Sequence, residues 1–235
     1  MAVRGRFGQS QEFPRTEVEA EELQRRLRGE VDLSSRLTSR PRSVVGLDVS
    51  YDTGTNGICA AAVVIELKSL EVVETVHVFG EAAFPYIPGL LAFREVPILL
   101  EVLQQLTSDP EVLICDGYGI AHPRRFGLAC HVGVLTGLPS FGVAKNPYVA
   151  KFENLDARRG AWSPLYEDGE LLGRALRTKE RVKPVFVSVG HKIGLDEACN
   201  ITLRLCPRYR IPEPIRQADI ISRRALREST RSEGL

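Results

Sequence analysis

No stretch of this 235-residue chain approaches the ~20 consecutive apolar residues needed to cross a bilayer. Residues 1–14 are polar and lack the apolar core of a secretion signal, so a cytoplasmic location is expected. Five cysteines (Cys59, Cys115, Cys130, Cys199 and Cys206) are odd in number and include no C-x-x-C pair. Four sit in apolar segments and Cys206 closes another, which points to reduced core thiols rather than disulfides or a zinc site. The formal net charge of +1 does not by itself announce a nucleic-acid partner. No P-loop or dinucleotide fingerprint is present, since Gly117-Tyr118-Gly119 matches neither. Internal repeats and low-complexity segments are also absent.

What is present is the composition of an ordinary globular protein, 43% hydrophobic and 26% charged, at a length that suits one domain. Residues 1–14 read as a disordered lead, and 15–228 as a single domain with an insertion around 146–183. Thr16-Glu17-Val18-Glu19 fits a capping box that opens an amphipathic helix reaching residue 31. Strands are expected at 44–51, 59–67 and 72–79, close enough in sequence to form an antiparallel meander. Helices at 92–106, 124–135, 195–205 and 215–226 alternate with strands at 112–116, 140–144 and 184–189. Tyr166-Glu167-Asp168-Gly169-Glu170-Leu171 carries a hairpin-turn signal inside the 146–183 segment. The fold class is therefore α/β, a mixed central sheet of three antiparallel strands followed by parallel ones, flanked by helices.

The charge is unevenly spread. Residues 199–231 hold eight arginines against three acids, and Arg177-Thr178-Lys179-Glu180-Arg181-Val182-Lys183 is a second basic stretch. Solvated helix faces look like this, and so do surfaces that receive a polyanion.

Four acids stand in unusual places. Asp116 ends the apolar run Val112-Leu113-Ile114-Cys115, where open α/β sheets bind ligands. Asp48 shares a strand face with Gly46, Ser50 and Asp52, a face that reads as open and polar; an ordinary solvent-facing acid would look the same. Glu95 starts a helix after Pro85-Tyr86-Ile87-Pro88-Gly89, where the helix N-terminus alone can stabilise a carboxylate. Asp219 falls in the apolar stripe of Ile215, Ala218, Ser222, Ala225 and Leu226, so it needs either an arginine or a metal as partner. Carboxylates converging on a hard divalent cation are one way to keep such acids away from water. His122 and Lys145 are possible electrostatic helpers that the residues alone leave unassigned.

Taken together, the segments resemble the endonuclease V family, inosine-specific nucleases with a ribonuclease H-like core. The resemblance runs from residue 20 to residue 224. It rests most specifically on the run from Pro85 to Glu95 and on Asp116-Gly117-Tyr118-Gly119-Ile120-Ala121-His122-Pro123-Arg124. Gly46-Leu47-Asp48-Val49-Ser50-Tyr51, Gly142-Val143-Ala144-Lys145, Ser188-Val189-Gly190-His191 and the run from Pro212 to Asp219 support it. No core position departs from the pattern.

The resemblance implies that Asp48, Glu95 and Asp116 bind metal and that Asp219 serves a second metal or its water. It implies Mg²⁺ as cofactor, with Mn²⁺ able to substitute, and His122 and Lys145 near the reacting phosphate. Tyr86, held by Pro85, Ile87 and Pro88, matches a wedge that enters the duplex beside the altered base; residues alone would read a rigid surface turn. The base pocket is implied to use backbone groups at Gly89, Leu91 and Gly119. The implied reaction is cleavage of the second phosphodiester 3′ to inosine, giving 3′-hydroxyl and 5′-phosphate ends, by a monomer that acts in DNA repair. Inosine in RNA as the main substrate, a binding module that does not cut, and another ribonuclease H-like nuclease such as a junction resolvase remain as alternatives.

Overall fold

Alternation of side chains along β2 (Gly57–Glu66) explains the architecture of the computed structural model, which describes residues 13–232. Ala60, Ala62 and Val64 enter one apolar cluster, and Ala61, Val63 and Ile65 enter another on the opposite side of the sheet. Successive Cβ atoms on a strand point to opposite faces, so an uninterrupted apolar run can be buried on both sides. β1 (Ser43–Tyr51) and β3 (Val72–Glu81) flank β2 antiparallel. β4 (Val112–Cys115) pairs parallel to β1, and β5 (Ser140–Ala144) parallel to β4. The full order is β3-β2-β1-β4-β5-β8-β7-β6, where β6 is Trp162–Glu167, β7 Glu170–Leu176 and β8 Val185–His191.

One face carries α2 (Ala92–Gln104) and α3 (Leu128–Thr136), packed on Val45, Leu47, Leu113 and Cys115. The other carries α4 (Leu195–Arg204) and α5 (Glu213–Ser232), with Ile215 and Ala218 in the core. α1 (Glu17–Arg28) opens with the expected capping box, and its Ala20, Leu23 and Leu27 join that same cluster. All five cysteines are free and buried. No helix among the described residues is long and apolar enough to cross a membrane.

Several expectations are revised. The open, polar face of β1 is roofed by α5: a Cβ on Gly46 would stand 2.4 Å from the Pro214 carbonyl carbon. Asp48 and Ser50 are accordingly buried. The parallel run stops at β5, because β8 pairs with it antiparallel. Residues 146–183 include β6 and β7, and these extend the central sheet through β8. The helix expected from 124 starts at Leu128: Arg125 takes φ 54° and the chain first folds back, with Gly127 N–H donating to the Gly119 carbonyl. α5 continues past the end of its apolar stripe to Ser232, with an i,i+4 ion pair between Arg224 and Glu228. Of the expected 1–14 lead, residues 1–12 lie outside the described residues, and Phe13 packs against both core clusters.

Candidate active site

The register of β1 on β4 brings two acids together. Leu47 pairs with Cys115, and the N–H of Asp116 donates to the Leu47 carbonyl at 3.2 Å, so Asp48 and Asp116 leave neighbouring parallel strands side by side. The α5 roof adds Asp219, and its Ser222 hydroxyl donates to Asp48 Oδ2 at 3.1 Å. From the opposite face, α2 presents Glu95 in its first turn, where the Tyr51 hydroxyl donates to Oε1 at 2.9 Å. Lys145, just beyond β5, meets Asp116 Oδ2 at 2.5 Å. Asp48, Glu95, Asp116, Asp219 and Lys145 all line one cavity of about 670 Å³.

Their electrostatics follow from that crowding. Burial, with Asp116 and Asp219 adding repulsion, pushes the Asp48 carboxyl up to about 7. Burial likewise lifts Glu95 to about 8; the Tyr51 hydrogen bond works against this, and Asp48 and Asp116 work with it. Burial opposes the Lys145 ammonium, but Asp116, with Asp48 and Asp219, more than offsets that and holds it above the ordinary lysine value. Two acids pushed toward neutrality beside two more acids are a set short of positive charge.

As the side chains stand, no three carboxylates, histidines or cysteines among the described residues are grouped tightly enough to grip an ion. The reason is visible in their partners: Asp116 is turned to Lys145, Asp219 to Arg223 at 2.8 Å, and Glu95 to Tyr51. The donor chemistry still fits a hard divalent cation, since the set is oxygen-only and Mg²⁺ needs only one or two carboxylates besides water and phosphate oxygens. To share an ion, Asp116 and Asp219 would have to turn from Lys145 and Arg223.

A second cavity of about 360 Å³ adjoins the first, and the two share Asp116, Leu128 and Lys145. Tyr86, Ile87, Pro88, Gly89 and Leu91 line one side, with Tyr86 70% exposed at the rim. Tyr118, His122 and Tyr148 line another. His122 thus belongs to this cavity rather than to the carboxylate one. Its Nδ1 accepts from the Arg124 N–H at 3.2 Å, and burial with Arg124 and Arg125 nearby lowers its pKa to about 4. Pro85 does not line the cavity, and neither does Gly119. The Gly119 N–H is used by Ser188 Oγ at 2.8 Å, and a Cβ there would lie 2.0 Å from the Val189 carbonyl oxygen. Gly119 therefore permits close approach of two backbones.

The sequence profile of the family Endonuclease V matches residues 25–220. The chain belongs to the endonuclease V family. It is an endonuclease, and its sheet order and flanking helices are those of the ribonuclease H-like fold. Endonuclease V of Streptomyces avermitilis is 53% identical over 222 residues, covering 93% of this chain and 96% of that protein. Its crystal structure superposes with a TM-score of 0.89, again over 93% of this chain and 96% of the other. The catalytic domain of human endonuclease V is 40% identical, with a TM-score of 0.85 over 91% and 96% of the two chains. Endonuclease V of Ciona intestinalis, crystallised with a 24mer DNA containing an inosine followed by a ribo-adenosine, is 30% identical, with a TM-score of 0.79 over 90% and 98%.

Within this endonuclease V fold, several contacts escaped the reading of the sequence. Tyr51 and Ser222 were visible only as a strand end and a polar residue in an apolar stripe, yet each holds an acid. Gln24, 1% exposed in α1, donates to the Gly89 carbonyl at 3.0 Å, and Arg124 donates to it at 2.9 Å. Nothing local in sequence signals such a brace, because its partners lie 65 and 35 positions away.

Proposed function

We propose that this endonuclease recognises inosine in DNA and hydrolyses the second phosphodiester bond 3′ to it, leaving 3′-hydroxyl and 5′-phosphate ends, as a DNA-repair activity. The observation that carries the reading is the junction of the two cavities: one whose lining includes Asp48, Glu95, Asp116, Asp219 and Lys145, the other lined by the Tyr86–Leu91 loop, meeting at Asp116 and Lys145. The Ciona relative in complex with inosine-containing DNA supports the same substrate. Asp48, Glu95, Asp116 and Asp219 would hold Mg²⁺, or Mn²⁺ in its place. Such a cation lowers the pKa of a bound water and offsets charge on the phosphate and leaving oxygen.

The chain's own groups prepare that chemistry. Lys145 shares the wall between the cavities, so its ammonium can pass from Asp116 to the phosphate and offset charge building there. His122 is neutral near pH 7, and an imidazole whose Nδ1 accepts a hydrogen bond carries its proton on Nε2; it orients by hydrogen bonding rather than by charge. Tyr86 is exposed and carried on a loop stiffened by Pro85 and Pro88, which suits a ring that fills the stack left by an extruded base. Extrusion costs a few kcal/mol and is cheapest at a mispaired base such as hypoxanthine. Gly89 and Leu91 border the cavity that would receive it.

The test is cleavage of matched inosine-containing DNA and RNA, with Mg²⁺ and with Mn²⁺, by the wild type and by Asp116→Ala. The variant is expected to retain inosine binding and to lose cleavage by more than about 100-fold, the most that loss of an outer-sphere partner costs. Nicking at near wild-type rate removes Asp116 from the metal site. Retention of inosine DNA by the wild type without nicking favours a binding module, and faster RNA cleavage makes RNA the main substrate.

A further inference from the structure

The basic stretch 177–183 and residues 208–210 of the one that begins at 199 find no use in the cleavage chemistry, yet the fold joins them next to the active site. Leu176 of β7 pairs with Val185 of β8, and Phe186 with Ala144 of β5, so residues 145, 177 and 184 lie at one end of the sheet. Asp116 leaves that same end from β4. The loop before α5 is then stapled across it. Arg210 donates to the Pro184 carbonyl at 2.7 Å and to the Lys145 carbonyl at 2.5 Å, while Thr178 Oγ1 donates to the Arg210 carbonyl at 2.6 Å. The backbone of Lys145, whose ammonium faces the carboxylates, is thereby the inner edge of this surface.

Lys179, Lys183 and Arg208 are exposed on the two joined loops, and none of them forms an ion pair among the described residues. The acids nearby are engaged: Glu180 lies 3.7 Å from Arg181, and Glu213 is held by Arg216 and Gln217. Tyr209, 48% exposed, has one ring face covered by the Arg216 guanidinium at 4.3 Å. An aromatic ring backed by a cation and bordered by lysines and arginine is the chemistry that tracks a sugar–phosphate backbone.

We infer that the surface formed by residues 178–184 and 208–210 is a second nucleic-acid contact, gripping phosphates of the strand as it leaves the carboxylate cavity. It reads charge and not base identity, so it sets affinity and salt dependence while the Tyr86 side sets preference for the altered base. This rests on the proposed substrate being DNA.

The experiment is equilibrium binding by fluorescence anisotropy, in EDTA, to a duplex with one inosine and to its undamaged counterpart, across a salt series. The proteins are the wild type and the triple variant Lys179→Gln/Lys183→Gln/Arg208→Gln. Loss of three phosphate contacts is expected to make the slope of log K against log salt shallower by about 2.7, with the ratio of the two duplex affinities kept within about twofold. A thermal melt verifies that the exposed substitutions leave the fold intact. A slope within about 0.5 of wild type overturns the proposal, and so does a variant that loses inosine preference as much as affinity. Wild-type binding that is steeply salt-dependent but blind to inosine would refute the substrate reading and leave this surface standing.

Discussion

Asp48 and Glu95 are the residues on which burial and charge conflict most. Their ordinary values of 3.8 and 4.5 become about 7 and about 8 in the fold, so the protonated forms are favoured on folding. A raised value means that their stabilisation is complete below pH ~4 and is lost as pH rises through those folded values, at no more than about 1.4 kcal/mol per pH unit for each group. His131 has the opposite sign. It is fully buried between Phe93 and Phe126 with neither ring nitrogen hydrogen-bonded, and burial lowers it from 6.5 to about 3. Its contribution is complete above pH ~6.5 and is lost as pH falls toward 3. The chelated protein should therefore lose Tm from pH 6.5 to 8.5, Asp48→Asn should flatten that decline, and Mg²⁺ should raise Tm more at pH 8.5 than at pH 6.5. His131→Leu should flatten the acid limb instead. Thermal melts across pH decide both, and a decline unchanged by Asp48→Asn would mean that the buried acids are already compensated. None of these shifts is readable from sequence, because each is caused by what packs around the group.

At the scale of elements, the contact between β1 and α5 decides whether the carboxylates meet at all. The alternation of β1 was legible, and so was the apolar stripe of α5: Ile215, Ala218, Ser222, Ala225 and Leu226 are all buried. What was not legible is that the small, polar face of β1 is where that stripe lands. Small residues on a strand are equally compatible with solvent and with a closely seated helix, and only the docking distinguishes them. Gly46→Ala would place a Cβ within 2.6 Å of three atoms of Pro214 and Ile215. Overpacking of this kind costs about 1–3 kcal/mol, and a displaced α5 would also carry Asp219 and Ser222 away from Asp48. The expected outcome is a fall in denaturant midpoint together with a loss of cleavage at saturating Mg²⁺. A variant as stable and active as wild type would show that the helix is seated less tightly than the contact implies.

At the scale of the molecule, the carboxylate cavity and the cavity lined by the Tyr86–Leu91 loop are built from different loops and share only Asp116, Leu128 and Lys145. The loop bearing Tyr86 is held from α1 and from the β4–α3 connection through Gln24 and Arg124, independently of the carboxylates. Recognition and bond breaking should therefore separate under mutation. Tyr86→Ala is expected to lower the preference for inosine over undamaged DNA by about tenfold, the scale of one lost base–aromatic contact, and to slow single-turnover cleavage much less. Equal losses in both would tie the ring to the reaction itself, and an unchanged preference would end its assignment as the wedge. The same organisation accounts for His122, which the family resemblance set near the phosphate and the fold sets in the wall of the cavity lined by the Tyr86–Leu91 loop.

The sequence by itself determined the elements and the inventory of chemistry. Periodicity gave most strands and helices, and acids at a strand end, on a small polar strand face, at a helix start and in an apolar stripe marked Asp116, Asp48, Glu95 and Asp219 in turn, because local patterns carry local geometry. Only the tertiary structure decided which of these residues share a cavity, which basic side chains hold the acids apart, and that Gly119 is packed against the Ser188–Val189 backbone. Those outcomes depend on strand register, helix docking and loop closure between segments as distant as Asp48 and Ser222, 174 positions apart. Distances of that kind are fixed by packing, and packing is a property of the whole chain.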